Sequence, residues 1–161
     1  MAGPGRDREA LADERAADSV AAYARAVAAG DIVTNRLVRL AAERHLRDLG
    51  AGPARGLRWD PAAAGHAIRF FGYLRLAESQ FEGKPFELGA WQAFIVGSLF
   101  GWFIRDEDGV WIRRFRNGYV ETAKGSGKTP TAAGIGLYGL VGDGEATAEI
   151  YSAARGRDQA A

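Results

Sequence analysis

Apolar residues recur first at helical and later at strand spacing along this chain. Between residues 6 and 29, Leu11, Ala17, Val20, Tyr23 and Val27 follow a helical repeat in an alanine-rich stretch, which predicts a helix that Gly30 stops. Asp31 can open the next helix, from Ile32 to Leu49, with Val33, Leu37, Leu40, Ala41 and Leu46 as its apolar set. Gly50, Gly52, Pro53 and Gly56 predict a loop or link as far as Arg58. Asp60-Pro61 reads as an N-cap with proline at the first helical position, opening a helix to about Glu78 that buries Ala63, Ala67, Phe70, Phe71 and Leu74. A turn segment from Phe81 to Leu88 follows, then an aromatic helix from Ala90 to about Gly101. Asp106-Glu107-Asp108-Gly109 lies between Trp102-Phe103-Ile104 and Val110-Trp111-Ile112, which predicts a β-hairpin.

The last third reads differently. Tyr119 to Thr122 predicts a strand, residues 122–129 a glycine-rich turn, Thr131 to Val141 a helix and Ala148 to Ala153 a second strand. Strand, loop, helix and strand make one βαβ unit, hence a parallel sheet with a right-handed crossover. The fold class expected is α/β: a helical region over residues 1–58, then over 59–161 the beginning of a P-loop NTPase parallel sheet. One crossover leaves a small parallel sheet in need of cover on both faces, so the expectation is an incomplete domain.

The turn itself carries the candidate chemistry. Gly125 and Gly127 lack a Cβ, so backbone N–H groups can crowd round a polyanion, and the helix start behind them adds unpaired donors. Lys128 supplies a charge for the β- and γ-phosphates of a nucleotide, and Thr129 a hydroxyl for Mg²⁺. Lys124 is an additional cation placed for a second phosphate contact. Against the pattern Gly-x-x-x-x-Gly-Lys-Ser/Thr, Thr122 stands where the first glycine belongs, with Ala123 and Ser126 filling variable positions. The alternative is a tight strand-to-helix turn with an incidental lysine.

Composition narrows the field. With 161 residues, 47% hydrophobic and 25% charged, the chain has enough apolar material for a core of ordinary globular type. A net charge of +1 gives no global drive toward nucleic acid. The absence of cysteine excludes disulfides, thiolate zinc sites and a cysteine nucleophile. The uncharged run from Leu88 to Ile104 falls short of the ~20 mainly apolar residues that span a bilayer, so it reads as a buried helix and no membrane is expected.

Other polar residues are read more plainly. Arg36, Arg39, Arg44 and Arg47 share a ~140° arc of one helix with Glu43 among them, a solvated face with phosphate contact as the alternative. His45 and His66 have no partner at metal-ligand or catalytic spacing and read as surface or core-edge residues. Asp106, Glu107 and Asp108 read as solubilising charge at a hairpin tip, with a metal site as the alternative. Gln92, on the aromatic helix, is either a satisfied core amide or a reader of the adenine edge, which it can both donate to and accept from.

Together these segments resemble the N-terminal part of a tailed-phage terminase large subunit. The resemblance runs from about Tyr23 to Ala161. It rests on Gly30-Asp31-Ile32-Val33, Arg39-Leu40-Ala41, residues 44–49, Phe86-Glu87-Leu88, Trp91-Gln92, residues 99–102, Tyr119 to Thr129, Gly136-Leu137-Tyr138, residues 151–154 and residues 157–160. It implies an ATP-driven motor that packages double-stranded phage DNA into a procapsid. A separate nuclease domain, a small subunit, a portal protein, a ring oligomer on the portal and the cytoplasm of a bacterial host come with the same family. The family's P-loop often lacks the first glycine and carries a basic residue early, as Thr122 and Lys124 do here. The resemblance also implies Gln92 as the adenine motif, Lys128 and Thr129 as phosphate and Mg²⁺ residues, and ATP and Mg²⁺ as cofactors. It sets the Walker B carboxylates and the nuclease residues beyond Ala161, so the chain is expected to be a fragment that binds nucleotide weakly at best. Another P-loop NTPase such as a helicase, and a non-enzymatic helical DNA-binding or adaptor module, are the alternatives.

Overall fold

The computed structural model describes residues 4–76, 82–144 and 147–153. Over those residues the protein is α/β, with five α-helices and a three-stranded antiparallel sheet. Helix α1 (Pro4–Ala29) is alanine-rich, which favours helix locally. Its Val20, Ala24 and Val27 stripe is fully buried. Gly30, at φ 88°, ends it: the Gly30 N–H reaches the Val27 carbonyl and the Asp31 N–H the Ala26 carbonyl, a Schellman closure. Helix α2 (Arg36–Ala51) starts later than the sequence suggests. Asn35, not Asp31, is its cap, with the side-chain oxygen accepting from the Val38 N–H at 3.0 Å. Asp31 is committed to the closure of α1.

The predicted link at residues 50–58 is more ordered than expected. It holds a 3₁₀ turn (Pro53–Arg55) and a short strand β1 (Leu57–Trp59). Helix α3 (Pro61–Phe70) has the expected cap, Asp60 accepting from the Ala63 N–H at 3.0 Å. It is shorter than its apolar pattern suggests, tightening into a 3₁₀ turn at Phe71–Tyr73. There the backbone of Leu74 and Leu76 pairs instead with that of residues 83–86. The predicted helix end at Glu78 and the predicted turn start at Phe81 lie outside the described residues. Helix α4 (Ala90–Gly101) matches its predicted span, and β2 (Trp102–Arg105) with β3 (Trp111–Arg113) form the predicted hairpin. Asp106 closes the hairpin tip by accepting from the Asp108 and Val110 N–H groups. The missed strand β1 joins it antiparallel, with Trp59 opposite Trp102 and Leu57 opposite Ile104. Helix α5 (Lys128–Val141) follows the glycine loop.

Two hydrophobic clusters meet along α4. One joins Val20, Tyr23, Ala24, Val27 and Ala42 to Phe94; the other joins Ala67, Phe71, Phe86 and Tyr138 to Val96 and Phe100. The first draws on both the helical region before residue 58 and the segment after it. Helix α5 enters the second cluster through Tyr138, whose ring lies 4.6 Å from Phe100 and whose hydroxyl is 3.0 Å from His66 Nδ1. Gly134 permits this approach, because a Cβ there would meet Phe71 Cε1 at 2.2 Å. Arg113 adds an ion pair to Asp143, just past the end of the helix.

The expected βαβ unit does not form over the described residues. Tyr119–Thr122 and Ala148–Ala153 belong to no helix and no ladder, and the sheet that does form is antiparallel. Tyr119 and Tyr151 are exposed, and Ile150 lies across α5 against Gly136 and Gly139. Parallel strands buried on both faces need paired neighbours, and the described residues supply none. The polar segment at residues 155–159 lies outside the described residues. No described helix is long and apolar enough to cross a membrane.

The buried face of α2 carries two polar residues, His45 and Asp48, beside Ala42. Asp48 is fully buried and paired with Arg114 at 2.7 Å, with Arg55, and with Arg47 at 3.5 Å. Burial alone raises its pKa, but the hydrogen bonds from Arg114 and Arg55 outweigh that and hold it below the usual aspartate value. His45 accepts the Trp102 indole N–H on Nδ1 at 3.0 Å and packs edge-on to Trp59 and Phe94. Burial pushes its pKa down to about 4; Asp48 opposes the shift, and Arg44, Arg114 and Arg25 reinforce it.

Two outcomes are expected. His45 is less basic folded than unfolded, so its contribution to stability is complete above pH 6.5 and is lost as pH falls from 6.5 to about 4. The loss is on the order of 3 kcal/mol. Asp48 adds a further loss only below its ordinary value of 3.8. Urea unfolding at stepped pH measures the decline, and an NMR titration of the His45 ring checks that it protonates near 4 rather than 6.5. Separately, Phe71→Ala removes a fully buried ring and is expected to cost about 3–5 kcal/mol. Leu37→Ala, at a 72% exposed position, is expected to change stability by less than about 0.5 kcal/mol; denaturant midpoints compare the two.

Candidate functional site

Residues 122–129 form a closed loop feeding directly into α5. The Thr122 and Ser126 hydroxyls hydrogen-bond to each other, and the Ser126 N–H reaches the Ala123 carbonyl at 3.4 Å. Gly125 and Gly127 have φ of 82° and 81°, the left-handed region that L side chains rarely occupy. A side chain at either position would be strained by that backbone. The helix begins at Lys128 immediately after Gly127. The N–H groups of Lys128 and Thr129 stand in its first turn, where the helix offers them no carbonyl. Pro130, next in line, has no N–H to lose.

The predicted site residues are placed as follows. Ala123, Lys124, Gly125, Lys128 and Thr129 are exposed, while Thr122, Ser126 and Gly127 are half-buried. Lys128 folds back over the loop so that Nζ donates to the Thr122 carbonyl at 3.4 Å. That bond is long and easily exchanged for a stronger acceptor. Residues 122–129 include two lysines and no carboxylate. The nearby Glu121 takes a hydrogen bond from the Tyr119 hydroxyl at 3.2 Å. The set of backbone N–H groups, ammonium groups and hydroxyls fits an anionic ligand.

Gln92 is brought to this loop from α4. Its side chain is buried, and Oε1 accepts the Gly89 N–H at 2.7 Å, capping α4. Its Nε2 donates to Thr131 Oγ1 at 2.8 Å. The same nitrogen lies 3.2 Å from where a Cβ on Gly127 would stand. Thr131 in turn donates its hydroxyl to the Gly127 carbonyl at 2.7 Å. Sequence reasoning missed Thr131, reading it only as the start of a helix. The available signal was a hydroxyl residue one helical turn after the last loop glycine.

The basic arc of α2 is elsewhere engaged in part. Arg44 stacks over Phe115 at 4.8 Å, and Arg47 reaches Asp48. A cavity of about 610 Å³ lies by the sheet, lined by Leu49, Pro53, Arg58, Arg105 and Trp111 among others, and none of residues 122–129 lines it. No group of three or more His, Cys, Asp or Glu among the described residues is placed to hold a metal ion.

Compared with known proteins, residues 90–161 match the family described as terminase large subunit, ATPase domain. Neither the curated proteins nor the solved structures give a match to the chain. The matched segment takes in α4 with Gln92, the hairpin, the glycine loop and α5; the resemblance at residues 23–89 lies outside it. From Ala90 onward the chain is similar to the ATPase domain of terminase large subunits, in line with the resemblance read from its residues.

Proposed function

We propose that Thr122–Thr129 is a variant Walker A loop that binds ATP, within the part of a packaging motor that couples ATP to the movement of double-stranded phage DNA. The observation that carries this reading is the loop itself. Two left-handed glycines lead straight into a helix start, with Lys128 at its first position and no acidic residue between Thr122 and Thr129. Such a turn presents backbone N–H groups and an ammonium to phosphate at close range.

Each residue then has a role. Lys128 exchanges its weak bond to the Thr122 carbonyl for β- and γ-phosphate oxygens, charge-assisted bonds of about twice the strength of neutral ones. Lys124 adds a second cation from the loop's rim. Thr129 offers an exposed hydroxyl to Mg²⁺, which when bound neutralises phosphate charge. Gln92 keeps one N–H and one lone pair beyond its two existing bonds, enough to meet an adenine edge. Double-stranded DNA, the small subunit, the portal and the bacterial cytoplasm follow from the family resemblance.

Isothermal titration with ATP and Mg²⁺ tests it. Lys128→Ala is expected to weaken ATP binding at least about tenfold, as loss of a charged hydrogen bond of about 1.5–3 kcal/mol requires. The side chain is exposed, so the melting temperature should not move. Equal ATP affinity in wild type and variant would overturn the reading. For the adenine contact, Gln92→Ala should narrow the preference for ATP over GTP.

A further inference from the structure

We infer that Gln92 and Thr131 form a hydrogen-bonded strut that positions the phosphate loop, making Thr131 a positioning residue for nucleotide phosphates. This rests on the nucleotide-binding reading of residues 122–129. The strut runs in one direction without ambiguity. The Gly89 N–H donates to Gln92 Oε1 at 2.7 Å, Gln92 Nε2 donates to Thr131 Oγ1 at 2.8 Å, and the Thr131 hydroxyl donates to the Gly127 carbonyl at 2.7 Å. An amide nitrogen only donates and a carbonyl only accepts, so the hydroxyl proton must lie toward Gly127.

The strut holds more than helix geometry alone would. A threonine that bonds the carbonyl one turn back is common within helices. Here that hydroxyl is also held from α4, across 39 positions of sequence, by a side chain that is 7% exposed. Thr131 itself is 5% exposed. In such a dry setting each link is strong, and breaking one strands a polar partner.

The Gly127 carbonyl receives both the Thr131 hydroxyl and the Thr131 N–H, the latter at 3.1 Å. That carbonyl and the Lys128 N–H belong to one planar peptide and point opposite ways. Pinning the carbonyl toward Thr131 therefore aims the Lys128 N–H away from the helix body, toward the loop. Gly127 has no side chain to cap α5 and adopts a backbone with wide freedom. The strut removes that freedom from outside the loop.

The test is binding of inorganic tripolyphosphate, which has no base, beside binding of ATP and GTP, on the full chain. Thr131→Val keeps the bulk and deletes the hydroxyl; it should lower tripolyphosphate and ATP affinity about tenfold each and leave the ATP-to-GTP ratio unchanged. Thr131→Ser should restore both to within about twofold. Gln92→Leu cuts the strut at its other link and should lower tripolyphosphate affinity similarly, which serves if Thr131→Val does not fold. Without ligand, amide hydrogen exchange at residues 124–128 should quicken in Thr131→Val and return to wild-type rates in Thr131→Ser. Wild-type tripolyphosphate binding that Thr131→Val and Gln92→Leu both match would overturn the strut alone. A wild-type chain that binds neither ATP nor tripolyphosphate would overturn the nucleotide reading, and the inference with it.

Discussion

Helix α4 has no polar face along most of its length, and the rest of the fold answers the need to cover it. A helix apolar all round is stable only when enclosed. Phe94 turns toward α1 and α2, Val96 and Phe100 toward α3 and α5, and its end runs straight into β2. The one buried amide on this helix, Gln92, sits at its first turn, where burial has to be compensated by hydrogen bonds. Those bonds carry the helix to the glycine loop. Packing and site are thus joined at one residue.

A second constraint is the pair of polar residues that α2 buries beside Ala42. Asp48 is fully buried among arginines, and His45 spends its acceptor on an indole N–H. Breaking a buried pair by removing one partner leaves an uncompensated charge, which costs far more than the intact pair contributes. Arg114 and Arg55 therefore fix how α2 meets the end of β3 and the 3₁₀ turn, although neither belongs to a hydrophobic cluster.

Much of this was legible in the residues. Helix periodicity, the Asp60-Pro61 cap and the Asp106–Gly109 turn are local signals, and the structure places those elements at or near the predicted positions. A glycine-rich turn followed by a helix is also a local signal, although α5 starts at Lys128, a turn earlier than the Thr131 that the apolar pattern gives. What failed depends on distant partners. The strand Leu57–Trp59 lies between glycine-proline and Asp-Pro signals and is a strand through its pairing with Trp102–Ile104. Residues 119–122 and 148–153 have the composition of strands, but a strand requires a neighbour, and none among the described residues pairs with them. Asp31 looked like a cap and was drawn into closing the preceding helix. The spacing of Thr131 from Gly127 signals only its bond to that carbonyl; the link to Gln92, 39 residues earlier, is not visible in it.

The Gln92 bridge has an electrostatic consequence. One side chain touches the caps of two helices at once, Gly89 before α4 and, through Thr131, Gly127 before α5. Each helix start carries a macrodipole end equivalent to roughly half a positive charge. Two such ends held within the span of one glutamine repel each other, and the folded chain bears that repulsion at rest. A negative charge placed between them would relieve both together, the electrostatic condition that the proposed phosphate site would meet.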